Sequence, residues 1–314
     1  MSDREHLFVV PEPPEGEPEQ PAAEQPEPEQ AANPGQAPGP DQGPPPPEVA
    51  RAFGADGEPE PLGPAWDNGW LVGQVALARS VGPLTGWSCR VREKLTVPGL
   101  RIARPVRATD GRFQAAGWRA SAYTPGERSA RVDEAAAAAL RLDKALAGQP
   151  APEPVSVDDR FSRAAEAAFA IGPGDPIEPD LGGAVADGLN LDLLGELAAA
   201  MRPLTGPNQL CHADLLACVV FRGDEPPTVT DLVAAWHPFG YSAAQVIADG
   251  LIVGAVDERI VDRFSFVPEL DQLVLRAVAY RIYVDALGER PNPARPAAFR
   301  RVVSALLSGG AATL

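Results

Sequence analysis

The sequence predicts an α+β protein in which a small β-rich lobe, residues 49–122, precedes a larger helical lobe, residues 123–314. Three observations carry that reading. Residues 62–120 break into short apolar runs separated by Gly-, Pro- and Asn-Gly-type turn signals, a strand pattern. From residue 130 onward the spacing turns to Ala- and Leu-rich helical stretches. Between two of those helices lies an irregular polar hairpin at 208–236, which has no helical period.

The stretch before the lobes is a different material. Of 314 residues 36 are Pro and 30 Gly, and the formal charge is −16. Residues 11–50 alone hold 14 Pro and 9 acidic residues, with no Lys or Arg. Such a segment cannot bury apolar surface, so residues 1–48 are predicted to be a disordered, extended Pro/Glu-rich arm. Its PxxP-like spacings offer a route to a protein partner, although such spacings arise easily in Pro-rich text. The chain lacks the clustered cations that phosphate neutralisation needs, so no nucleic-acid partner is expected. Cys89, Cys211 and Cys218 are an odd, widely spaced set. MSDREHLFVV lacks the pattern of a secretory signal, and no apolar run approaches the ~20 residues of a membrane span. A reduced, cytoplasmic protein without disulfides or a membrane segment is the expectation.

In the first lobe, Trp70–Ala78 reads as a strand after the Asp67-Asn68-Gly69 turn, and Trp87–Leu95 as the lobe's one helix. Leu100–Val106 is a strand, Thr109-Asp110-Gly111 a hairpin turn, and Phe113–Ala120 the return strand. In the second lobe, residues 131–148 form a strong helix with Gly148 just past its end. Val157–Ile171, capped by Ser156 or Asp158, and Leu189–Met201 follow as helices. The hairpin has strands at Leu210–Cys211 and Val219–Phe221, a turn at 223–227 and a return at Val229. Ala243–Ala255, Leu270–Leu287 and Pro296–Leu307 complete the helices.

The chemistry-bearing segment is Cys211-His212-Ala213-Asp214-Leu215, followed by the apolar strand, the turn and Val229-Thr230-Asp231. A hairpin brings its ends together, so Asp214 and Asp231, 17 positions apart, are expected to face one cleft. Phosphoryl transfer needs such a pair: one carboxylate for the substrate hydroxyl and another for Mg²⁺. On this constellation the chain resembles the kinase-like superfamily of aminoglycoside phosphotransferases and choline kinases. Their loop reads H-G-D-x-x-x-x-N and is followed by an apolar-x-D motif. Phrases such as PLGPAWD-GW and PNQ--H-D resemble most a group of actinobacterial proteins of that fold.

The resemblance implies a two-lobed kinase-like fold that uses ATP or GTP with Mg²⁺ to phosphorylate a small-molecule hydroxyl. It makes His212 the structural histidine of the loop, Asp214 the catalytic base and Asp231 the metal ligand. Glu93, on the first-lobe helix, corresponds to the residue that pairs with a strand lysine. The departures point the other way. The loop's Asn falls on Val219 by strict count and on Cys218 by apolar register, and neither is a hard oxygen donor for Mg²⁺. The strand lysine is missing, because Ala78 follows Val75-Ala76-Leu77; Arg79 is the substitute at hand. The phosphate loop falls at 63–69, where PAWD is bulkier than a glycine-rich loop. An eroded phosphotransferase and a catalytically inactive ligand- or partner-binding relative are therefore the two functional readings.

Other assignments are weaker. A zinc cluster of Cys211, His212, Asp214 and Cys218 lacks a second ligand pair at finger spacing, and for a Cys218–His212 nucleophile pair nothing in the sequence shows a lowered thiol pKa. Trp66, Trp70, Trp87, Trp118 and Trp236 read as core or lobe-interface residues, and His237 before Pro238 as a turn residue. Asp249, in an apolar run, either bonds the hairpin loop or sits at a partly exposed helix position.

Overall fold

The computed structural model describes residues 43–79, 82–153, 159–178, 181, 190–288 and 293–308. Most of the Pro/Glu-rich arm, residues 1–42, and the Ser156 and Asp158 caps lie outside them. The first element is a short helix, α1 (Pro47–Ala52), whose Pro sits at the first turn, where a missing N–H costs nothing.

The first lobe is an antiparallel sheet with β1 (Glu60–Pro61), β2 (Trp70–Val72) and β3 (Val75–Arg79) on one side. Helix α2 (Thr85–Lys94) and strands β4 (Arg101–Ile102), β5 (Pro105–Val106), β6 (Gln114–Ala115) and β7 (Trp118–Ala122) follow. The sheet order is β1-β2-β3-β7-β5, with β6 also on β7. The strand expected at Trp70–Ala78 is thus a hairpin, with Val72 paired to Val75 across Gly73 and Gln74. Gly73 has φ +61, and a Cβ there would come 2.7 Å from the Asp56 carbonyl oxygen. The return strand expected at Phe113–Ala120 is likewise folded on itself, turning at Ala116 and Gly117, both at positive φ.

Helices dominate the second lobe. α3 (Val132–Leu146) and α4 (Arg160–Ala170) are followed by α5 (Leu191–Ala200). Asp159 caps α4, accepting from the N–H groups of Phe161 and Ser162. The hairpin supplies β8 (Asn208–His212), a 3₁₀ turn at Leu216–Cys218, β9 (Val219–Val220), β10 (Thr228–Val229) and β11 (Ala234–Pro238). Helices α6 (Tyr241–Ile252), α7 (Arg259–Arg263), α8 (Leu270–Ala286) and α9 (Arg295–Ser308) complete the lobe. The alanine run of α3 lies against α6, with Ala135, Ala136, Ala138 and Ala139 all fully buried. Small side chains allow this approach. A Cβ on Gly250 of α6 would meet both Val132 methyls at 2.7 Å.

The lobes are sewn together by backbone. β4 of the first lobe pairs in parallel with β10 of the hairpin, Ala103 N–H donating to the Val229 carbonyl at 2.9 Å. The run expected as one strand at Leu100–Val106 is therefore split between two sheets, with β5 going to β7. No helix among the described residues is long and apolar enough to cross a membrane.

Candidate functional site

Strand β8 delivers His212 to the lobe junction, and β11 runs back beside it with Ala234 opposite His212. The His212 Nδ1 accepts the Asp214 N–H at 3.0 Å. The neutral ring therefore carries its proton on Nε2, which donates to the Asp231 carbonyl at 3.1 Å. One imidazole thus spans both ends of the hairpin. Burial lowers its pKa to about 4, so it stays neutral and structural. The backbone N–H of His212 donates to Ser242 Oγ at 2.7 Å, and Ser242 in turn donates to buried Asp143.

Burial raises the Asp143 pKa to about 7, while Ser242 and the Gly240 N–H hold its oxygens. A carboxyl whose folded-state pKa is raised contributes stability below its unfolded value, near 4, and loses it as pH rises through about 7. Asp143→Asn is expected to flatten the fall in melting temperature between about pH 4 and pH 8, measured by thermal denaturation across that range. An unchanged slope would take Asp143 out of the titration.

Asp231 reaches the lobe junction, where cations meet it. Its Oδ1 accepts from Ser88 Oγ at 2.9 Å and lies 3.3 Å from Arg92 Nε. Its Oδ2 is 2.9 Å from Arg119 Nη2, and the same nitrogen is paired with Asp67. Burial opposes the charge, but Arg119 and Arg92 hold the Asp231 carboxyl well below the usual carboxylate range. Arg119 stands on β7 directly opposite Ala78, the position at which the resemblance expects a strand lysine. Arg92 is 1% exposed and also donates to the carbonyls of Ala103 and Thr230 and to Ser121 Oγ.

Asp214 does not reach the open space. It is fully buried, and its Oδ1 accepts from Arg281 Nη2 at 2.9 Å. Arg281 also grips Asp249 through Nε and Nη2, at 2.7 and 2.6 Å. Asp249 thus joins the hairpin loop through an arginine on α8. Burial raises the Asp214 pKa to about 7 against the pull of Arg281, and its Oδ2 has no hydrogen-bond partner among the described residues.

The remaining expected contacts fall elsewhere. Glu93 is bonded at 2.8 Å through both oxygens to Arg107 on the surface, and not to a strand cation. The inward residue of that helix is its neighbour Arg92, because one residue along a helix turns the side chain by about 100°. Arg79 is exposed at the end of β3, with its guanidinium 5.4 Å from the Trp118 ring centre. Cys218 is buried in the 3₁₀ turn, and burial pushes its thiol pKa well up.

Mg²⁺ does not fit this donor set. Both Asp231 oxygens already face hydrogen-bond donors and guanidinium groups. A buried thiol sits at the Asn register, and no group of three or more His, Cys, Asp or Glu among the described residues could hold a metal ion. The loop at 63–69 is filled as well. Trp66 is 8% exposed and packs with Ala76, Ala103 and Val220, its ring 5.3 Å from that of Tyr123. Thr230 Oγ1 donates to the Ala65 carbonyl at 2.6 Å, tying this turn down onto the hairpin.

A cavity of about 870 Å³ opens beside Asp231, with Asp67, Ser88 and Arg119 also in its lining. The start of α2, helix α4, strand β11 and helix α8 line it. His237, expected in a turn, lies in β11 and stacks on Phe169 at 3.8 Å, with the Tyr241 ring 4.3 Å away. Burial lowers its pKa to about 3.

No family model matches the chain, and no curated protein sequence matches it. Among solved structures, the chain is similar to the crystal structure of an aminoglycoside phosphotransferase from Alicyclobacillus acidocaldarius. The TM-score is 0.53 at 15% identity, with 87% of this chain and 96% of that chain covered. Together with the β-rich first lobe, the helical second lobe and the hairpin between them, this likeness gives the chain a kinase-like fold of the aminoglycoside phosphotransferase type.

Proposed function

We propose that this chain is a pseudo-phosphotransferase, a kinase-like protein that binds a small molecule in the cavity between its lobes without transferring phosphate. The clamp of Arg92 and Arg119 on Asp231 carries this reading. For Asp231 to take Mg²⁺ it would have to leave buried guanidinium groups, and stripping a buried ion of its partner costs about 3–5 kcal/mol. The turn where the resemblance places the phosphate loop is filled by Trp66, and the candidate base Asp214 faces Arg281 instead of the cavity. The cavity itself has the size and the mixed aromatic and polar lining of a small-molecule site.

Thermal denaturation with and without nucleotide tests the reading. At roughly 10 mM ATP and Mg²⁺, a site with a Kd of about 1 mM would add about 1.4 kcal/mol of stability. The expected result is a melting temperature unchanged within about 1 °C, for GTP as for ATP. A Mg²⁺-dependent rise, or turnover of either nucleotide with a small hydroxyl acceptor, would overturn the pseudoenzyme assignment.

A further inference from the structure

The cavity contains a cation that nothing described so far uses. Arg276, on α8, lines the cavity and is 5% exposed. Its guanidinium donates only to neutral acceptors. Nη1 reaches the Gln272 carbonyl at 3.1 Å and its side-chain oxygen at 3.5 Å, and Nη2 reaches the Arg202 carbonyl at 2.8 Å. Its Nε–H is buried without an acceptor, and no carboxylate among the described residues forms an ion pair with it. The acids that act on it electrostatically are otherwise engaged. Glu269 accepts from the N–H groups of Thr205 and Gly206, and Asp271 pairs with Arg202. Burial lowers the Arg276 pKa and outweighs the opposing pull of Glu269 and Asp271, neither of which forms an ion pair with it.

The other charges at the cavity are already answered. Asp67 and Asp231 face Arg119. Asp159 spends a carboxylate oxygen on the first turn of α4, and Glu166 is exposed at the rim, where solvent screens it. The walls near Arg276 are aromatic. Its guanidinium carbon lies 6.0 Å from the centre of the Phe169 ring, which carries the His237 stack, and Tyr280 follows one turn along α8. The His237 ring makes no hydrogen bond to any described residue.

We propose that the cavity takes a small aromatic monocarboxylate, with the carboxylate against Arg276 and the ring beside the Phe169–His237 stack. The proposal rests on the ligand-binding reading above. A carboxylate supplies the direct ion pair that this buried cation lacks. A monoanion suits the site better than a phosphate dianion, because Arg276 offers one positive charge and Arg119 is already paired with Asp67 and Asp231.

The test is calorimetric titration of the full chain with three probes of one shape: 1-naphthoate, 1-naphthamide and 1-naphthylmethylammonium. The acid is expected to bind at least about tenfold more tightly than the amide, as a charge-assisted contact implies, and the ammonium more weakly still. Arg276→Gln should reduce acid binding to the amide's level and leave the amide's affinity unchanged, with Arg276→Lys between. If Arg276→Gln fails to fold, the wild-type probe series decides. Amide or ammonium binding as tight as the acid's overturns the monocarboxylate assignment while ligand binding stands. Absence of acid binding at millimolar concentration also overturns it. Stabilisation by Mg²⁺–ATP, read separately, defeats the underlying reading instead.

Discussion

Arg281→Leu is expected to lower the melting temperature by about 10 °C. The side chain is 4% exposed and holds two buried carboxylates, those of Asp214 and Asp249. Its removal leaves both without their cation, and breaking a buried pair in this way costs about 3–5 kcal/mol. At this chain length each kcal/mol moves the midpoint by roughly 2–4 °C. Burial already raises Asp214 to about 7, so its carboxyl favours the folded state when protonated and loses that contribution as pH rises through about 7. The deficit of Arg281→Leu should therefore shrink at about pH 5 and grow above pH 7. Adding Asp249→Asn should recover part of the loss, because one fewer buried charge is stranded. Thermal denaturation of the single and double variants measures all three effects. A single-variant shift below about 3 °C would show that the triad is solvated or otherwise compensated.

Asp231→Asn is the second large effect, and its sign separates two roles for this residue. A metal-binding aspartate in a cluster of acids repels its neighbours, so its neutralisation relieves the metal-free protein. Here Arg92 and Arg119 outweigh one nearby acid, Asp67, which would remain as Arg119's anionic partner among the described residues. The expected outcome is a loss of about 3 kcal/mol, seen as a midpoint roughly 6–10 °C lower at neutral pH. Arg119 and Arg92 hold the carboxyl below its ordinary value, so its contribution is present above about pH 4 and is lost as pH falls through the lowered folded-state pKa. The difference between wild type and variant should accordingly persist from about pH 5 to pH 8 and close only in strong acid. A variant as stable as wild type at pH 7 would show that the clamp contributes nothing to folding.

Both predictions turn on arginines that local pattern does not single out. Arg92 stands beside Glu93 on one helix, and the apolar spacing Trp87, Val91 and Leu95 leaves open which of the two points inward. The surface pair Glu93–Arg107 and the buried contacts of Arg92 with Ala103 and Thr230 settle that orientation. Arg119 carries a weak signal, a charge within the β-rich run Trp118–Ala122. Only the β3–β7 register shows that it stands opposite Ala78, the position at which the resemblance expects a strand lysine. Arg281 lies inside a helix whose residues are buried nearly all round, so no polar face marked it as exposed or as inward-facing.

What the sequence determined by itself is the local order of elements and the positions of the hairpin's polar residues. Helical period and turn signals depend on neighbours a few residues away, so the Ala-rich α3, the strand at Val219–Val220 and the His212, Asp214 and Asp231 positions were readable from the chain. Two turns escaped, at Gly73-Gln74 and Ala116-Gly117, because neither is a strong turn dipeptide and sheet pairing decides them. Tertiary structure alone decided which charges meet. Asp67 and Arg119 are 52 residues apart, and Asp214 and Arg281 are 67. An isolated carboxylate at a metal position reads as a metal ligand. Burial makes each such charge too costly to leave unpaired, and the fold supplies guanidinium partners from distant strands and helices that no local spacing reveals.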